Sequence, residues 1–217
     1  VADWLQAEHI SSEWRPVLLK EGVYLQELVR FTDNSKRKVP YDVDPVWSLV
    51  KDSLKGGGQC LVFVNTRRAT ESSAVKYAKL MRPFLDQELS EADLAQMEGE
   101  EEHTNMAKTL RSCVKGGVAF HNAGLTNEQR RFIESNFKKG KIKVIIATPT
   151  LAAGINLPAR RVIIREVQRY EEGGYVPIPV MEIKQMCGRA GRPRYDTEGE
   201  AILVARNEDE ASLMMED

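Results

Sequence analysis

The feature that most constrains the fold is an alternation of short apolar runs with longer amphipathic segments. The apolar runs are CLVFV (60–64), GVAF (117–120), KVIIAT (143–148), RVIIR (161–165) and AILVA (201–205). Between or beside them lie segments with helical periodicity at 44–55, 67–82, 103–115, 126–138 and 179–190. Continuous apolar strands separated by helices indicate a parallel sheet whose two faces are both covered. The sequence therefore predicts an open, mostly parallel α/β domain with helices on both faces.

Helix boundaries and domain limits follow from local signals. Thr126 and Gln129 have the spacing of a capping box, and Gly140 follows two lysines as a stop signal. Residues 1–44 are expected to form an N-terminal linker or extension with a hairpin around GVYLQELVRF (22–31), and residues 45–217 the main domain. Because the chain starts at Val1 without a methionine, we expect it to be a fragment of a longer protein.

The charge of the chain is unevenly distributed. The net charge is −1, but residues 82–107 alone carry −7, which leaves +6 for the remainder. The acidic residues of this stretch are Asp86, Glu88, Glu91, Asp93, Glu98, Glu100, Glu101 and Glu102. We expect 82–107 to be a solvated helical insertion that faces away from any polyanion. The basic remainder permits a nucleic-acid partner without proving one, because exposed lysines and arginines are common on any surface.

Several classes of protein are disfavoured by composition. There is no run of 18 apolar residues, which argues against a membrane span. The three cysteines, Cys60, Cys113 and Cys187, lack the spacing of metal ligands, so we expect no metal site and a reducing, cytoplasmic environment.

Small polar residues follow three of the predicted strands. Thr66 and Arg67 follow the first run, Gly124 lies just after the second, Thr148 ends the third, and Thr150 follows it. In an open parallel sheet, ligands bind outside the carboxyl ends of the strands, where hydroxyl groups and helix N-termini attract anions. The sequence thus predicts an anion-binding edge, although a lone threonine at such a position is often only a helix cap.

Two arginines three positions apart, in QMCGRAGR (185–192), raise a separate question. Arg189 and Arg192 would repel each other on one helical face unless an anion lay between them. Arginine favours forked contacts with phosphate or carboxylate, and the preceding glycines, Gly188 and Gly191, allow another surface to approach the backbone closely. An exposed, solvated arginine pair near a helix end is the alternative.

Four segments together resemble a known family. LVFVNTRR, FHNAGL, ATPTLAAGINLPARRVII and QMCGRAGRPRYD are similar to the ordered motifs of the second RecA-like motor domain of superfamily-two helicases. The greatest similarity is to the Ski-like DExH branch and its archaeal DNA-repair helicase. The resemblance covers nearly the whole chain, and VADWLQAEHISSEWRPV (1–17) resembles the passage that joins the first motor domain to the second.

The resemblance implies a role for each of these residues. Arg189 and Arg192 correspond to arginine fingers for the γ-phosphate of ATP, and such a finger typically accelerates phosphoryl transfer ~10³- to 10⁵-fold. Gln185, Gly154 and Asn156 correspond to further ATP contacts. The residues assigned to the backbone of the bound nucleic-acid strand are Thr66, Arg67, Thr148, Thr150 and Gly124. For the segment 121–124, a structural turn fits the sequence at least as well.

The chain lacks half of the machinery that ATP hydrolysis requires. Neither a G-x-x-x-x-G-K-[ST] phosphate loop nor an Asp-Glu-x-His box occurs in the sequence. We therefore expect the Mg²⁺ ligands to lie in a first RecA-like domain of the same protein, and the isolated chain to be inactive.

A hairpin is predicted at 165–180, where two β-prone arms flank a turn at Glu171–Gly174. The resemblance implies a strand-separating wedge at this position, in which Tyr170 and Tyr175 stack on the terminal base pair. A plain connecting loop fits the pattern equally well.

The resulting hypothesis is the C-terminal motor domain of an ATP-dependent 3′-to-5′ DNA helicase. Its expected partners are single-stranded and forked duplex DNA, and it is expected to be a monomer in the cytoplasm, at the nucleoid if prokaryotic. Two alternatives are a non-enzymatic nucleic-acid-binding or regulatory RecA-like module and an RNA helicase of the same branch.

Overall fold

The structure is a computed structural model, and it describes residues 8, 15–85, 89–97, 104–149 and 157–216. Within these ranges, none of the helices combines the length and the apolar character that crossing a membrane requires.

A single large sheet organises the described residues. Its strands are β1 (Leu18–Leu25), β2 (Leu28–Phe31), β3 (Lys36–Lys38), β4 (Cys60–Phe63), β5 (Val118–His121), β6 (Val144–Ala147), β7 (Arg161–Ile164) and β10 (Glu198–Val204). Their spatial order is β3-β2-β1-β10-β7-β4-β6-β5, and every pairing from β1 to β5 is parallel. All residues of β4, β5, β6 and β7 are buried, as expected for central strands covered on both faces. The predicted RecA-like α/β class is confirmed.

Helices connect the parallel strands. They are α1 (Pro45–Lys55), α2 (Arg67–Leu80), α3 (Glu91–Ala95), α4 (Asn105–Lys115), α5 (Asn127–Lys138), α6 (Val180–Cys187) and α7 (Glu208–Glu216). The capping box at α5 forms as predicted. The Thr126 hydroxyl oxygen accepts a hydrogen bond from the main-chain nitrogen of Gln129, and the Gln129 side-chain oxygen accepts one from the main-chain nitrogen of Thr126. Helix α6 is shorter than the predicted segment 179–190, since residues beyond Gly188 leave the helix to pair with another loop.

The N-terminal strands belong to the same sheet as the rest of the domain. Strand β1 pairs in parallel with β10 over seven residues, from Leu18 opposite Glu198 to Tyr24 opposite Val204. The predicted hairpin is present as the antiparallel pair β1–β2. The boundary placed at residue 44 therefore does not coincide with a break in the sheet, because β1 obtains its partner from the far end of the chain.

The described part of the acidic stretch is held against the domain. Ser90 caps α3, and Leu94 in this helix is fully buried. Asp93 forms an ion pair with Lys141 at 2.9 Å, and Glu91 pairs with Arg111 at 2.5 Å. Hydrogen bonds from Lys141 and Ser90 lower the pKa of Asp93 to about 2. The described acidic groups are thus partly neutralised by neighbouring cations of the same chain.

Between β7 and β10, the sheet contains a buried charge cluster that hydropathy does not reveal. Arg161 donates to Glu200 at 2.6 Å and to Asp52 at 2.8 Å, and Arg37 also donates to Glu200 at 2.6 Å. Burial acts to raise the pKa of Glu200, but the two guanidinium groups outweigh it and lower the value to about 2. Glu200 is therefore ionised at neutral pH inside the fold.

Candidate functional site

The polar residues predicted at three strand ends lie on one edge of the sheet. Strands β4, β6 and β5 are parallel neighbours, and their last residues, Phe63, Ala147 and His121, are in register. Thr66 and Thr148 follow β4 and β6 at this edge. Parallel strands bring their carboxyl ends together, so residues distant in sequence become neighbours here.

Thr66 and Arg67 begin helix α2. The Thr66 hydroxyl oxygen accepts a hydrogen bond from the main-chain nitrogen of Ala69 at 3.1 Å, so Thr66 is the helix N-cap. Arg67 is exposed in the first turn, whereas Thr148 is largely buried. The N-terminal end of a helix carries partial positive charge, which suits the phosphate of a nucleic-acid backbone.

Gly124 lies in a turn that the chain stabilises by itself. Its main-chain nitrogen donates to the Asn122 side-chain oxygen at 2.9 Å, and the Asn122 amide donates to Thr70 at 3.0 Å. A Cβ atom at Gly124 would lie 3.1 Å from the Asn122 oxygen and 3.3 Å from the Met106 sulfur. A larger residue at position 124 would therefore require Asn122 or Met106 to shift by a few tenths of an ångström.

His121, the last residue of β5, is buried without a hydrogen-bond partner. It is 2% exposed, and among the described residues neither ring nitrogen has a partner. Burial, with a smaller contribution from the charge of Arg130, lowers the pKa of His121 to about 4. The imidazole is therefore neutral at physiological pH.

The two arginines of QMCGRAGR do not lie at the carboxyl edge. Ala159, which precedes β7, accepts from the main-chain nitrogen of Gly191 at 2.7 Å and donates to the Arg189 carbonyl at 3.0 Å. Helix α6 leads the chain from the carboxyl edge to the amino edge, where β10 begins. These two arginines therefore do not share the strand-end position of Thr66 and Thr148, because they precede a strand.

Gly191 is required by the fold. Its φ angle is +91°, and a Cβ atom there would lie 2.6 Å from the Val17 side chain. A Cβ atom at Gly199 would in turn lie 2.2 Å from the main-chain nitrogen of Gly191. The surface that approaches this glycine closely is therefore formed by the chain itself, by Val17 just before β1 and by Gly199 on β10.

Arg192 has a carboxylate partner within the chain. It forms two guanidinium hydrogen bonds to Asp196, both at 2.8 Å, and one to Gln59 at 2.7 Å. Part of the negative charge predicted beside the arginines thus comes from Asp196. The i,i+4 spacing of Arg192 and Asp196 is visible in the sequence, but nothing local identifies Gln59 as a partner.

A cavity of about 640 Å³ opens beside Arg192 at the amino edge. Its wall includes Gln59, Lys138, Lys139, Pro158, Arg192 and Tyr195. Arg189 is partly exposed near this edge, and Gln185 is exposed on α6. The arrangement offers several cations to an anionic ligand. Thr150, Gly154 and Asn156 lie outside the described residues.

The hairpin predicted at 165–180 is present as β8 (Gln168–Glu171) and β9 (Gly174–Pro177). Tyr170 and Tyr175 are directly opposite each other, with ring centroids 5.6 Å apart and an interplanar angle of 78°. They are 69% and 76% exposed. The base of the hairpin is anchored at the carboxyl edge, since the Asn65 amide donates to the Gln168 carbonyl oxygen.

The described residues offer no metal centre. No three histidine, cysteine, aspartate or glutamate side chains in this part of the chain could together hold a metal ion. Burial raises the pKa of Cys60 to about 11, and that of Cys113 and Cys187 to about 12. These thiols are therefore protonated at neutral pH.

Comparison with known proteins identifies the family. The model of the helicase conserved C-terminal domain matches residues 44–194. The chain belongs to the helicase conserved C-terminal domain family. This match and the relatives described next confirm the resemblance to the second RecA-like domain of superfamily-two helicases. They also confirm the similarity to the branch of the archaeal DNA-repair helicase.

Three archaeal proteins, each named ATP-dependent DNA helicase Hel308, are similar to this helicase domain over its whole length. The protein of Methanocella arvoryzae is 48% identical over 220 residues, which cover 100% of this chain and 30% of the relative. That of Pyrococcus horikoshii is 48% identical over 99% of this chain and 29% of the relative. The protein of Pyrobaculum calidifontis is 44% identical over 100% of this chain and 31% of the relative. The chain thus spans about 30% of the length of these relatives.

Proposed function

We propose that this helicase domain is the second motor domain of an ATP-dependent 3′-to-5′ DNA helicase. It supplies arginine side chains to an ATP site shared with a first RecA-like domain, and it grips the strand along which the motor moves. The observation that carries the proposal is the separation of two polar sets on one sheet. Arg192 lies at the amino edge and Thr66 at the carboxyl edge.

Two opposite edges suit a motor because its two ligands must be held at once. At the amino edge, the guanidinium groups of Arg189 and Arg192 supply positive charge for a terminal phosphate. Phosphoryl transfer is accelerated mainly by positioning and by charge stabilisation, and arginine serves both. At the carboxyl edge, the capped start of α2 presents Arg67 and main-chain N–H groups to a phosphodiester backbone.

The described residues do not fit a magnesium site, since no carboxylate cluster is present among them. The proposal therefore assigns Mg²⁺ and the phosphate-binding loop to the first motor domain. The substrates proposed are single-stranded and forked DNA, acted on by a monomeric protein in the cytoplasm, at the nucleoid. The preference for DNA over RNA is supported by the names of the relatives.

The test uses the full-length helicase that the proposal implies. Arg189→Ala should lower the DNA-stimulated ATPase rate by about 10³-fold or more while the affinity for single-stranded DNA stays near that of the wild type. An exposed arginine on α5, Arg131, provides a matched control, because Arg131→Ala removes the same charge from a residue that is assigned to neither proposed site. Normal ATPase with weakened DNA binding would show that Arg189 contacts the nucleic acid instead.

A non-enzymatic nucleic-acid-binding module is the second candidate, because the exposed Arg67 and the capped start of α2 suit a nucleic-acid backbone without any hydrolysis. Sequencing of the parent gene distinguishes the two. A phosphate loop and a DExH box upstream support the motor, and their absence there supports the binding module.

A further inference from the structure

Arg192 is held on two sides by side chains of its own domain. Its Nε and main-chain nitrogen both donate to Asp196 Oδ2 at 2.8 Å, and its Nη2 donates to Oδ1 at 2.8 Å. On the other side, Nη1 donates to Gln59 Oε1 at 2.7 Å. The Arg192 side chain is 20% exposed and that of Asp196 5%. The guanidinium thus has one defined orientation rather than a set of solvated rotamers.

Gln59 cannot turn its amide group around without losing hydrogen bonds. Its Nε2 donates to the carbonyl oxygens of Phe137 and Ile142, both at 2.7 Å, and the residue is buried. Because a carboxamide has one oxygen and one nitrogen, Oε1 is left to face Arg192. The end of α5 and the segment just before β6 thus hold the Gln59 side chain, whose oxygen in turn orients Arg192.

These contacts leave part of the guanidinium available for a ligand. A guanidinium group carries five N–H bonds, of which Asp196 and Gln59 engage three. The remaining two, on Nη1 and Nη2, have no hydrogen-bond partner among the described residues, and Arg192 lines the cavity of about 640 Å³ at the amino edge. A phosphate oxygen can therefore be bound while both existing partners stay in place.

Asp196 is a strong partner because it is ionised. Burial acts to raise its pKa, but the hydrogen bonds and charge of Arg192 outweigh burial and hold the pKa below its usual range. Two parallel hydrogen bonds from the guanidinium to one charged carboxylate also fix the plane of the guanidinium, which a single hydrogen bond cannot do.

We propose that Asp196 and Gln59 are positioning residues that orient Arg192 towards the terminal phosphate of a nucleoside triphosphate and remain bonded to it during hydrolysis. This inference rests on the proposed function of the amino edge. It excludes the opposite role for Asp196, that of a resting counter-ion which competes with the phosphate and must be released. The two roles predict opposite effects when the carboxylate is neutralised.

The chain contains a matched control pair. Arg206 and Glu210 have the same i,i+4 spacing, and Glu210 accepts from both the main-chain nitrogen and the guanidinium of Arg206. Arg206 is 72% exposed and follows β10 at the carboxyl edge. Glu210→Gln therefore disrupts the same local geometry away from the proposed ATP site.

The experiment compares Asp196→Asn, Asp196→Glu, Glu210→Gln and Arg192→Ala in the full-length helicase. We measure kcat and KM for ATP at saturating single-stranded DNA, the affinity for ADP with and without aluminium fluoride, and thermal unfolding. Asp196→Asn should lower kcat by about 10²-fold, the usual effect of misplacing a catalytic group by about 1 Å, with little change in KM. It should also lose the tighter binding that aluminium fluoride confers on ADP. Asp196→Glu should recover part of kcat, and Glu210→Gln should match the wild type.

Other results would overturn the inference. An unchanged or raised kcat in Asp196→Asn would make Asp196 a bystander or a competitor. A loss that merely follows the fraction of unfolded protein would make its role structural. If Arg192→Ala itself keeps wild-type ATPase, the proposed function of Arg192 fails, whatever Asp196 does. If Arg192→Ala is inactive and Asp196→Asn is normal, only the positioning role fails.

Discussion

Arg169 on strand β8 donates to Glu182 on helix α6 at 2.7 Å. This ion pair joins the hairpin to the helix that carries Gln185, and the Asn65 amide joins the base of the same hairpin to the carboxyl edge. The hairpin is thus in contact with elements of both proposed ligand sites.

The first prediction concerns the exposed tip of this hairpin. Replacing residues 170–176 by a short Gly-Ser turn, with Arg169 retained, should leave the DNA-stimulated ATPase of the full-length protein intact. Unwinding of forked DNA should fall about tenfold or more, because base–aromatic stacking contributes about 1–3 kcal/mol per base. Fork unwinding per ATP consumed is the measurement that checks it.

A single substitution provides a milder test of the same prediction. Tyr175→Ala should reduce fork unwinding less than the loop replacement, since one ring of the pair remains. Tyr41→Ala is the control, because Tyr41 is 58% exposed and lies outside the hairpin. Wild-type unwinding by the loop replacement would make the hairpin a connector.

The second prediction concerns the start of α2. Arg67→Ala should weaken binding of single-stranded DNA and make the dependence of log K on log salt shallower by about 0.7, the slope expected for one phosphate contact on a single strand. Lys79→Ala, which removes an exposed cation near the other end of the same helix, should leave both quantities unchanged. Titrations at several salt concentrations separate the two variants; equal effects would indicate general electrostatics rather than a contact at the helix N-terminus.

The third prediction concerns the buried charge cluster. Glu200→Gln should lower the free energy of unfolding of this chain by about 3–5 kcal/mol, because it leaves Arg161 and Arg37 without their shared buried carboxylate. The control is Glu208→Gln, which breaks an exposed two-point pair with Arg30 and should change stability little. Denaturant unfolding at pH 7 measures both. Similar losses in the free energy of unfolding for the two variants would show that burial of the Glu200 ion pairs does not increase their effect.

Lowering the pH should destabilise the chain by protonating the same carboxylate. The pKa of Glu200 is lowered from 4.5 to about 2 in the folded chain. Its stabilising contribution is therefore fully present above pH 4.5 and is lost as the pH falls towards 2. In Glu200→Gln, the decline of stability across this interval should be smaller than in the wild type.

The fourth prediction concerns His121, whose pKa is lowered from 6.5 to about 4. The unfolded chain binds this proton first, so stability should be full above pH 6.5 and should fall as the pH drops towards 4. The shift corresponds to about 3 kcal/mol across the window. His121→Gln, which cannot bind the proton, should give a flatter stability curve between pH 6.5 and 5. Parallel curves for the two proteins would show that another group titrates there.

Local sequence was sufficient for the elements of the central sheet. The runs at 60–64, 117–120, 143–148, 161–165 and 201–205 each overlap a strand, because continuous apolar residues are typical of strands buried on both faces of a sheet. Thr126 and Gln129 form the predicted capping box because its atoms lie within one helical turn. The hairpin at 165–180 is also local, since its turn and both arms are adjacent in sequence, but a plain connecting loop fitted the same pattern equally well.

Local sequence patterns could not predict pairings between residues that are distant in the sequence. Nothing near β1 indicates that its parallel neighbour is β10, some 180 residues later. Nor does any spacing connect Gln59 with Arg192, whose side chains meet because β4 and β10 begin at the same edge. The partners of buried polar groups depend on which chain segments the topology brings together.

The sequence by itself determined the α/β class, the five strands of the apolar runs, the capping box of α5 and the order of the helicase motifs, because periodicity, caps and motif spacing are local properties of the chain. Only the tertiary structure decided that Thr66 and Arg192 lie at opposite edges of the sheet, and that Asp196 and Gln59 hold the arginine. The direction of α6 across the sheet sets that arrangement. Direction follows from packing between distant segments, which no local pattern specifies.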